Sequence, residues 1–353
     1  MAREAHSNYV DGVLEQARLR PDATAIDAPQ GVLSFAALAG AMGGVATGLR
    51  ARGLRPGDTV AVVCRDPCDY LVAALGTALG GFALLALDPT WPAGTLERLV
   101  DATGAAAVVG AGRSARDGPD DALRALDIAD LPPADPWPVR DPGGERVCQI
   151  AVSSGTTGPA KAAPVSHRRL LTRTRAMTGP LGIDASHRYM PLVAMSLAIG
   201  RGPALRTLDV GGRVVIRPLT VPYEAHLAEI ARLGITYLSV TPSHIHDYLE
   251  HLPADASPAL PGVRALMVNS AALPMDVCAD ARARLTPNLH VTYGSNEMGY
   301  VAHAGPRELD AHPGTVGRVL PGIAVEVVDG AGAALPPGAV GELRIRTPHL
   351  AET

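Results

Sequence analysis

The chain reads as an α/β protein of two successive lobes, each built on a largely parallel sheet with crossover helices, followed by a short antiparallel β segment. Two observations predict this. Apolar patterns of helical period alternate with short β-branched runs up to about residue 110, and the same alternation resumes after about residue 146. From about Pro313 the pattern changes to short strands separated by Gly/Pro turns, an antiparallel signature. The expected divisions are 1–145, 146–310 and 311–353. At 353 residues the chain is long enough for domains with substantial cores.

In the first lobe, Val10, Val13, Leu14 and Ala17 fall at helical spacing and Pro21 ends the helix. Ala23 to Ile26 is a short strand. Ser34 is placed to cap a helix running to Arg52. Thr59 to Cys64 is a β-branched strand, Cys68 to Gly80 a helix, and Ala83 to Ala86 a buried strand stopped by Asp88-Pro89. Leu96 to Thr103 is helical and Ala105 to Val109 a strand. Residues 110–144 are rich in Asp, Pro, Ala and Gly and read as a connection with a short helix around Ala122 to Ile128. In the second lobe, strands are expected at Val147 to Val152, Tyr189 to Val193, Arg213 to Ile216, Ile235 to Val240, Val263 to Val268 and Leu289 to Thr292. Helices lie between them at His167 to Met177, Tyr223 to Leu233, Ser243 to Leu252 and Met275 to Leu285. The arginines of the first of these helices, Arg168, Arg169, Arg173 and Arg175, read as a solvated face. Gly314 to Gly317, Val325 to Asp329 and Gly341 to Ile345 are the closing short strands.

Composition narrows the function. The formal net charge is −4 with acids and bases interspersed, which gives no footprint for a nucleic-acid partner. The start of the chain has no apolar core of a signal peptide, and no apolar run is long and charge-free enough to span a bilayer. Cys64, Cys68, Cys148 and Cys278 have no partners at zinc spacing and read as structural thiols of a reducing, cytoplasmic compartment.

The stretch that carries chemistry is Ser153-Ser154-Gly155-Thr156-Thr157-Gly158-Pro159-Ala160-Lys161. It follows a strand and concentrates hydroxyls, glycines and a lysine in one turn. Such a loop can offer successive N–H groups and hydroxyls to phosphate oxygens. It is not a Walker A loop, which needs Gly, four residues, then Gly-Lys-Ser/Thr. Lys161 is the single lysine of the chain; every other basic side chain is arginine or histidine. A compact ammonium suits a phosphate as a flexible point charge. The bland reading is an ordinary Ser/Gly surface loop.

Ser154 to Lys161 closely resembles the Ser-Gly-Thr-Thr-Gly-x-Pro-Lys-Gly signature of adenylate-forming enzymes, the superfamily of acyl- and aryl-CoA synthetases and nonribosomal peptide synthetase adenylation domains. Ala160 and Ala162 depart from it. Gly80 to Pro89 resembles a second core motif, and Gly338 to Leu343 the Gly-Glu-Leu motif of the family's small β-barrel. Tyr293-Gly294-Ser295-Asn296-Glu297 resembles Tyr-Gly-x-Thr-Glu, with Asn296 for threonine. The resemblance implies two Rossmann-like lobes and a partial antiparallel β-barrel. It implies ATP and Mg²⁺, with Tyr293 stacked on adenine, Asn296 bonded to the α-phosphate and Glu297 holding the metal. Ser270, Ala271 and Ala272 fall where the family's adenine-edge segment lies. Lys161 and the loop from Ser153 to Gly158 would clamp the departing pyrophosphate.

By a gap-free alignment on the family's substrate pocket, Ala198 takes the place of the aspartate that pairs with an α-ammonium. The other pocket positions are Ile199, Gly202, Ser239, Leu266, Val268, Thr292, Tyr300 and Val301. That lining is uncharged and mostly apolar, so the expected substrate is an aryl, alkyl, keto or β-amino acid, because a buried unpaired ammonium is costly. The implied reaction is adenylation of a carboxylic acid before transfer to a carrier-protein pantetheine or to CoA. The alternative is a non-catalytic nucleotide- or acyl-adenylate-binding partner protein. The family's ribose-binding aspartate and the lysine of its small C-terminal domain have no counterpart up to Thr353. The expectation is the nucleotide-binding core without the C-terminal lid domain, either truncated or completed by a separate C-terminal domain.

Overall fold

A computed structural model describes residues 7–110, 124–139, 141, 143–153, 161–218, 222–255, 257–348 and 350. The chain opens with α1 (Asp11–Leu19), the hairpin β1 (Thr24–Ala28) and β2 (Gly31–Ser34), and α2 (Phe35–Ala51). Ser34 caps α2 as expected, its hydroxyl accepting from the Ala37 N–H at 3.1 Å. Then come β3 (Thr59–Val63), α3 (Pro67–Leu79), β4 (Ala83–Ala86), α4 (Ala93–Thr103) and β5 (Ala107–Gly110). The start of α3 combines an Asp66 cap, bonded to the N–H groups of Cys68 and Asp69, with proline at the first helical position.

Of the short helix expected at Ala122 to Ile128, the described residues instead form β6 (Arg124–Asp127) running into a 3-10 turn at Ile128–Asp130. Parallel pairing with β5 decides it; a propensity for helix over four residues is too weak to oppose a ladder. The strand β7 (Val147–Ser153) is followed by β8 (Lys161–Ser166), which pairs antiparallel with it, and α5 (His167–Ala176). The second half runs β9 (Arg188–Pro191), α6 (Ala198–Asp209), β10 (Arg213–Val215), α7 (Tyr223–Arg232), β11 (Tyr237–Val240), α8 (Pro242–Glu250), β12 (Ala265–Val268), α9 (Met275–Arg284), β13 (Leu289–Ser295), β14 (Gly299–Ala304) and α10 (Pro306–Ala311). It closes with β15 (Arg318–Val319), β16 (Ala324–Val328) and β17 (Glu342–Arg346). Gly314 to Gly317, read as a strand, is a turn leading into β15.

Two large sheets result, α/β as expected. The six-stranded sheet has the order β6-β5-β3-β4-β7-β8, and the nine-stranded sheet β15-β14-β13-β12-β11-β9-β10-β1-β2. Both are parallel inside and antiparallel only at their edges, where a strand need not be covered on both faces. The sheets cross the boundary expected at 145/146: β1 and β2 join the later strands, whereas β7 and β8 complete the earlier sheet. β16 and β17 form a separate antiparallel pair. The main core contains Phe35, Leu38, Met42, Tyr70, Phe82 and Tyr237, which ties helices α2 and α3 to both sheets. Among the described residues no helix is long and apolar enough to cross a membrane.

Two core histidines give the fold a pH dependence. Burial pulls His167 and His290 down from 6.5 to about 4. The Tyr9 N–H points at the His167 Nδ1, and His303 lies 2.9 Å from the His290 Nδ1, so both imidazoles are neutral when folded. The unfolded chain protonates them near 6.5. Below that pH it takes up more protons than the folded chain, so stability present above 6.5 is lost as pH falls toward about 4. The loss is on the order of 2–3 kcal/mol per histidine over the window. Tm is expected to fall steadily through this range and His290→Gln to flatten the slope; a level profile in the parent chain would contradict the assignment.

Candidate active site

Strands β11, β12 and β13 run parallel, so Val240, Val268 and Ser295 end on one edge of the nine-stranded sheet. Parallel sheets bind ligands beyond this edge. The ends are locked by a continuous polar chain. The Thr292 hydroxyl donates to the Asn269 Oδ1 at 2.6 Å, the Asn269 amide to the Ser239 Oγ at 3.0 Å, and the Ser239 hydroxyl to the Ile199 carbonyl at 3.0 Å. Just past Asn269, Ser270 is the only non-glycine among the described residues in the left-handed region, at φ 78°. Strain of this kind collects where a chain is bent to meet a ligand. Ser270, Ala271 and Ala272 are exposed there.

Tyr293 to Glu297 form the adjoining turn from β13 into β14. The pairing slips between Tyr293 and Gly294, and a Cβ at Gly294 would lie 2.1 Å from the Gly299 carbonyl oxygen, so no side chain fits. Arg173 holds this turn from below: its Nη1 donates to the Asn296 carbonyl at 2.9 Å and its Nη2 to the Glu297 carbonyl at 2.6 Å. Arg173 is buried, and burial lowers its pKa to about 10. The solvated face expected for this helix therefore does not extend to Arg173. Asn296 is exposed, while Tyr293 and Glu297 are half-buried.

Two cavities open at the turn. One of about 300 Å³ lies between β7, α5, α6 and the β13–β14 turn. The other, about 630 Å³, runs toward α4, past Trp91, Thr95 and Leu99. Gln149, Ala151, Ala198, Arg201 and Asn296 line both. On the β7 side, Ser153 and Lys161 are cross-strand partners, so the expected phosphate loop leaves and re-enters the sheet at one place. Ser154, Gly155, Thr156, Thr157 and Gly158 lie outside the described residues.

Of the expected substrate positions, Ala198, Ile199, Gly202, Thr292 and Tyr300 line the smaller cavity, together with Ser270 and Asn296. Ser239, Leu266, Val268 and Val301 do not. Ser239 is buried beneath Ile199, and Val301 is buried in β14. Leu266 and Val268 share the face of β12 that packs on α7, α8 and α9. Side chains alternate along a strand, so residues placed on that face are turned away from the cavity. The lining is also not uncharged: Arg173, Arg201 and Arg206 all reach it. Arg201 is spent on its own neighbourhood, donating to the carbonyls of Met195 and Ser196 at 2.6 and 3.0 Å and to the Gln149 Oε1 at 3.2 Å. Arg206 is 1% exposed and donates to the Thr174 carbonyl and the Tyr237 hydroxyl. Helical register was the available signal for it, since Ala198, Gly202 and Arg206 recur every four residues on one face of α6. No comparable signal pointed to Gln149.

The arrangement is a cleft between the β7–β8 pair and the carboxyl edge of a parallel sheet, in the fold of the adenylate-forming enzymes. The chain belongs to the AMP-binding enzyme family, whose model matches residues 13–353. Phosphinothricin tripeptide synthetase PhsC of Streptomyces viridochromogenes is 30% identical over 96% of this chain and 31% of its own length. AMB antimetabolite synthetase AmbE of Pseudomonas aeruginosa is 30% identical over 94% of this chain and 16% of its own. The chain thus spans a third or less of the length of these relatives. The fold matches ATP-bound MatB from Rhodopseudomonas palustris with a TM-score of 0.86 at 24% identity, covering 98% of this chain and 71% of that one. VinN gives 0.87 at 21% identity, with 98% and 89% covered.

Proposed function

We propose that this chain adenylates a carboxylic acid. A substrate carboxylate oxygen attacks the α-phosphorus of MgATP, the bond from that phosphorus to the bridging oxygen of the β-phosphate breaks, and its electron pair leaves with pyrophosphate. The product is an acyl-adenylate, and no proton is needed. The observation that carries the reading is the meeting of β7, which leads into the Ser153–Lys161 loop, and the middle of the Tyr293–Glu297 turn, Gly294 to Asn296, around two adjoining cavities, in a chain of the AMP-binding enzyme family. Tyr293 and Glu297 themselves do not line these cavities.

The residues divide the work by their chemistry. Lys161 and the loop hydroxyls would take the charge of the leaving pyrophosphate, and Asn296 at the junction of the cavities would donate to the α-phosphate. Tyr293 offers a ring to adenine beside the exposed Ser270–Ala272 segment. Glu297 is a single carboxylate on an arginine-braced turn, which fits Mg²⁺ held by one protein oxygen plus phosphates and water. Phosphoryl transfer asks mainly for such positioning and charge neutralisation. The acceptor we propose is a carrier-protein pantetheine thiol or CoA, reached through the larger cavity. Ala198 puts no carboxylate where an α-ammonium would sit, which favours an acid other than an ordinary α-amino acid.

Lys161→Ala tests the reading. Its backbone remains in the β7–β8 ladder whatever the side chain, so Tm is expected to change little. Pyrophosphate exchange should fall by about 10²-fold, the effect of one preorganised donor. A collapse of Tm with unchanged exchange per folded molecule would make Lys161 structural. Nucleotide binding with no exchange for any acid would point to a binding protein.

A further inference from the structure

The smaller cavity ends on a cation whose hydrogen bonding is incomplete. Arg206 is almost fully enclosed, its Nε and Nη1 are used by Thr174 and Tyr237, the Tyr300 hydroxyl also bears on the guanidinium, and its Nη2 has no partner within hydrogen-bond distance. Among the described residues no carboxylate lies within ion-pair distance of it. Proteins rarely leave a buried guanidinium in that state, because a desolvated charge is stable only when paired. The smaller cavity leads toward it from the start of α6. Ala198 and Gly202 sit two turns and one turn before Arg206 on the same helical face, and arginine side chains on a helix lean back toward its N-terminus. A Cβ at Gly202 would meet nothing within 4 Å. The Tyr300 ring, 5.5 Å from the guanidinium carbon, closes the floor beside it.

We infer that Arg206 recognises a second carboxylate on the substrate, so that the acid activated is a short dicarboxylic acid or an acid of equivalent charge. This rests on the adenylation reading and adds the substrate class to it. The reacting carboxylate sits at the Asn296 junction. The other enters past Ala198 and Gly202 and draws the Nη2 donor, buried in the empty site, into the cavity. The charge that an α-ammonium-binding aspartate would carry in this region is absent, and a cation of opposite preference lies deeper in the same cavity.

The test is calorimetric binding of non-hydrolysable acyl-sulfamoyladenosine mimics to the chain, which needs no turnover. Butanoyl, succinamoyl and succinyl mimics are compared, with the glutaryl set as the longer series. The carboxylate-ended mimic of at least one series is expected to bind about 10- to 100-fold tighter than its carboxamide partner, the effect of a charge-assisted hydrogen bond in a dry site. Arg206→Met should abolish that difference while AMP binding persists, and Arg206→Lys should keep part of it. If Arg206→Met does not fold, Gly202→Val answers the same question by filling the open space in front of Arg206 without touching its partners. Equal affinity for the carboxylate and carboxamide mimics in the parent chain, or a preference that survives both variants, overturns the assignment. A chain that binds AMP and the butanoyl mimic but no carboxylate-ended one also overturns it and leaves adenylation standing. Failure to bind AMP or any mimic overturns the adenylation reading, and this assignment with it.

Discussion

Glu297→Gln is expected to lower magnesium-dependent adenylation by about 10²–10³-fold while changing magnesium-free AMP binding by less than about threefold. The asymmetry follows from how the turn is held. Arg173 grips the carbonyl oxygens of Asn296 and Glu297, which are main-chain atoms, so an isosteric amide leaves the turn where it is. What changes is the charge presented to the metal and its phosphates. Pyrophosphate exchange over a magnesium series, set beside calorimetry with AMP in a chelator, separates the two roles. Parallel losses would mean that Glu297 shapes the pocket and carries no metal.

Arg201→Met should cost about 2–4 kcal/mol of stability, the largest single effect expected outside the catalytic groups. Arg201 is 3% exposed and joins the two sheets: it sits on α6, bonds the carbonyls of the preceding loop and reaches Gln149 on β7. Methionine fills the stem but leaves buried acceptors without donors. The urea midpoint should drop with the m-value unchanged, and exchange activity should fall too, because Gln149, Ala198 and Asn296 line both cavities around it. If stability holds and only activity is lost, Arg201 has donors to spare for the substrate, and the bonds to Met195 and Ser196 are not its main work.

Where local signals were strong, the sequence was a good guide. Ser34 caps its helix, β4 has the limits its apolar run suggested, and α7 to α9 begin and end within a few residues of their periodic patterns. Elements held mainly by tertiary contact were not legible. Helix α6 contains Gly200, Gly202 and Pro203, poor helix formers, and it went unread; its path is set by packing, with Gly200 pressed so close to the Ala194 carbonyl that a Cβ would lie 2.4 Å away. β8 is an edge strand and β14 lies next to the edge, both paired antiparallel to their neighbours, and nothing in Lys161–Ser166 or Gly299–Ala304 marks them alone. The site divides the same way. The Tyr293–Glu297 turn could be found because its residue types are the chemistry. Arg173 could not, because an arginine on a helix reads as solvent-facing until the helix is seated; Arg206 was legible only through its register with Ala198 and Gly202, on a helix that is itself poorly marked. Leu266 and Val268 lie on the face of β12 opposite to Asn269, which lines the cavity, and only the seated strand shows which face is which.

The interleaving of the two sheets has a consequence for how the chain is made. Synthesis delivers β1 and β2 first, but β1 completes its pairing only on β10, after residues 35–212 have emerged. At typical translation rates that is on the order of 10–40 s. During that interval the six-stranded sheet, which draws on β3 to β8, can assemble, while the apolar edge of β1 waits beside it. Parallel pairing across so long a loop is slow even in the finished chain. The nascent hairpin is therefore the segment that needs shielding, by α1 and α2 folding over it or by a chaperone at the ribosome. Its exposed strand is where a half-made molecule would first associate with another.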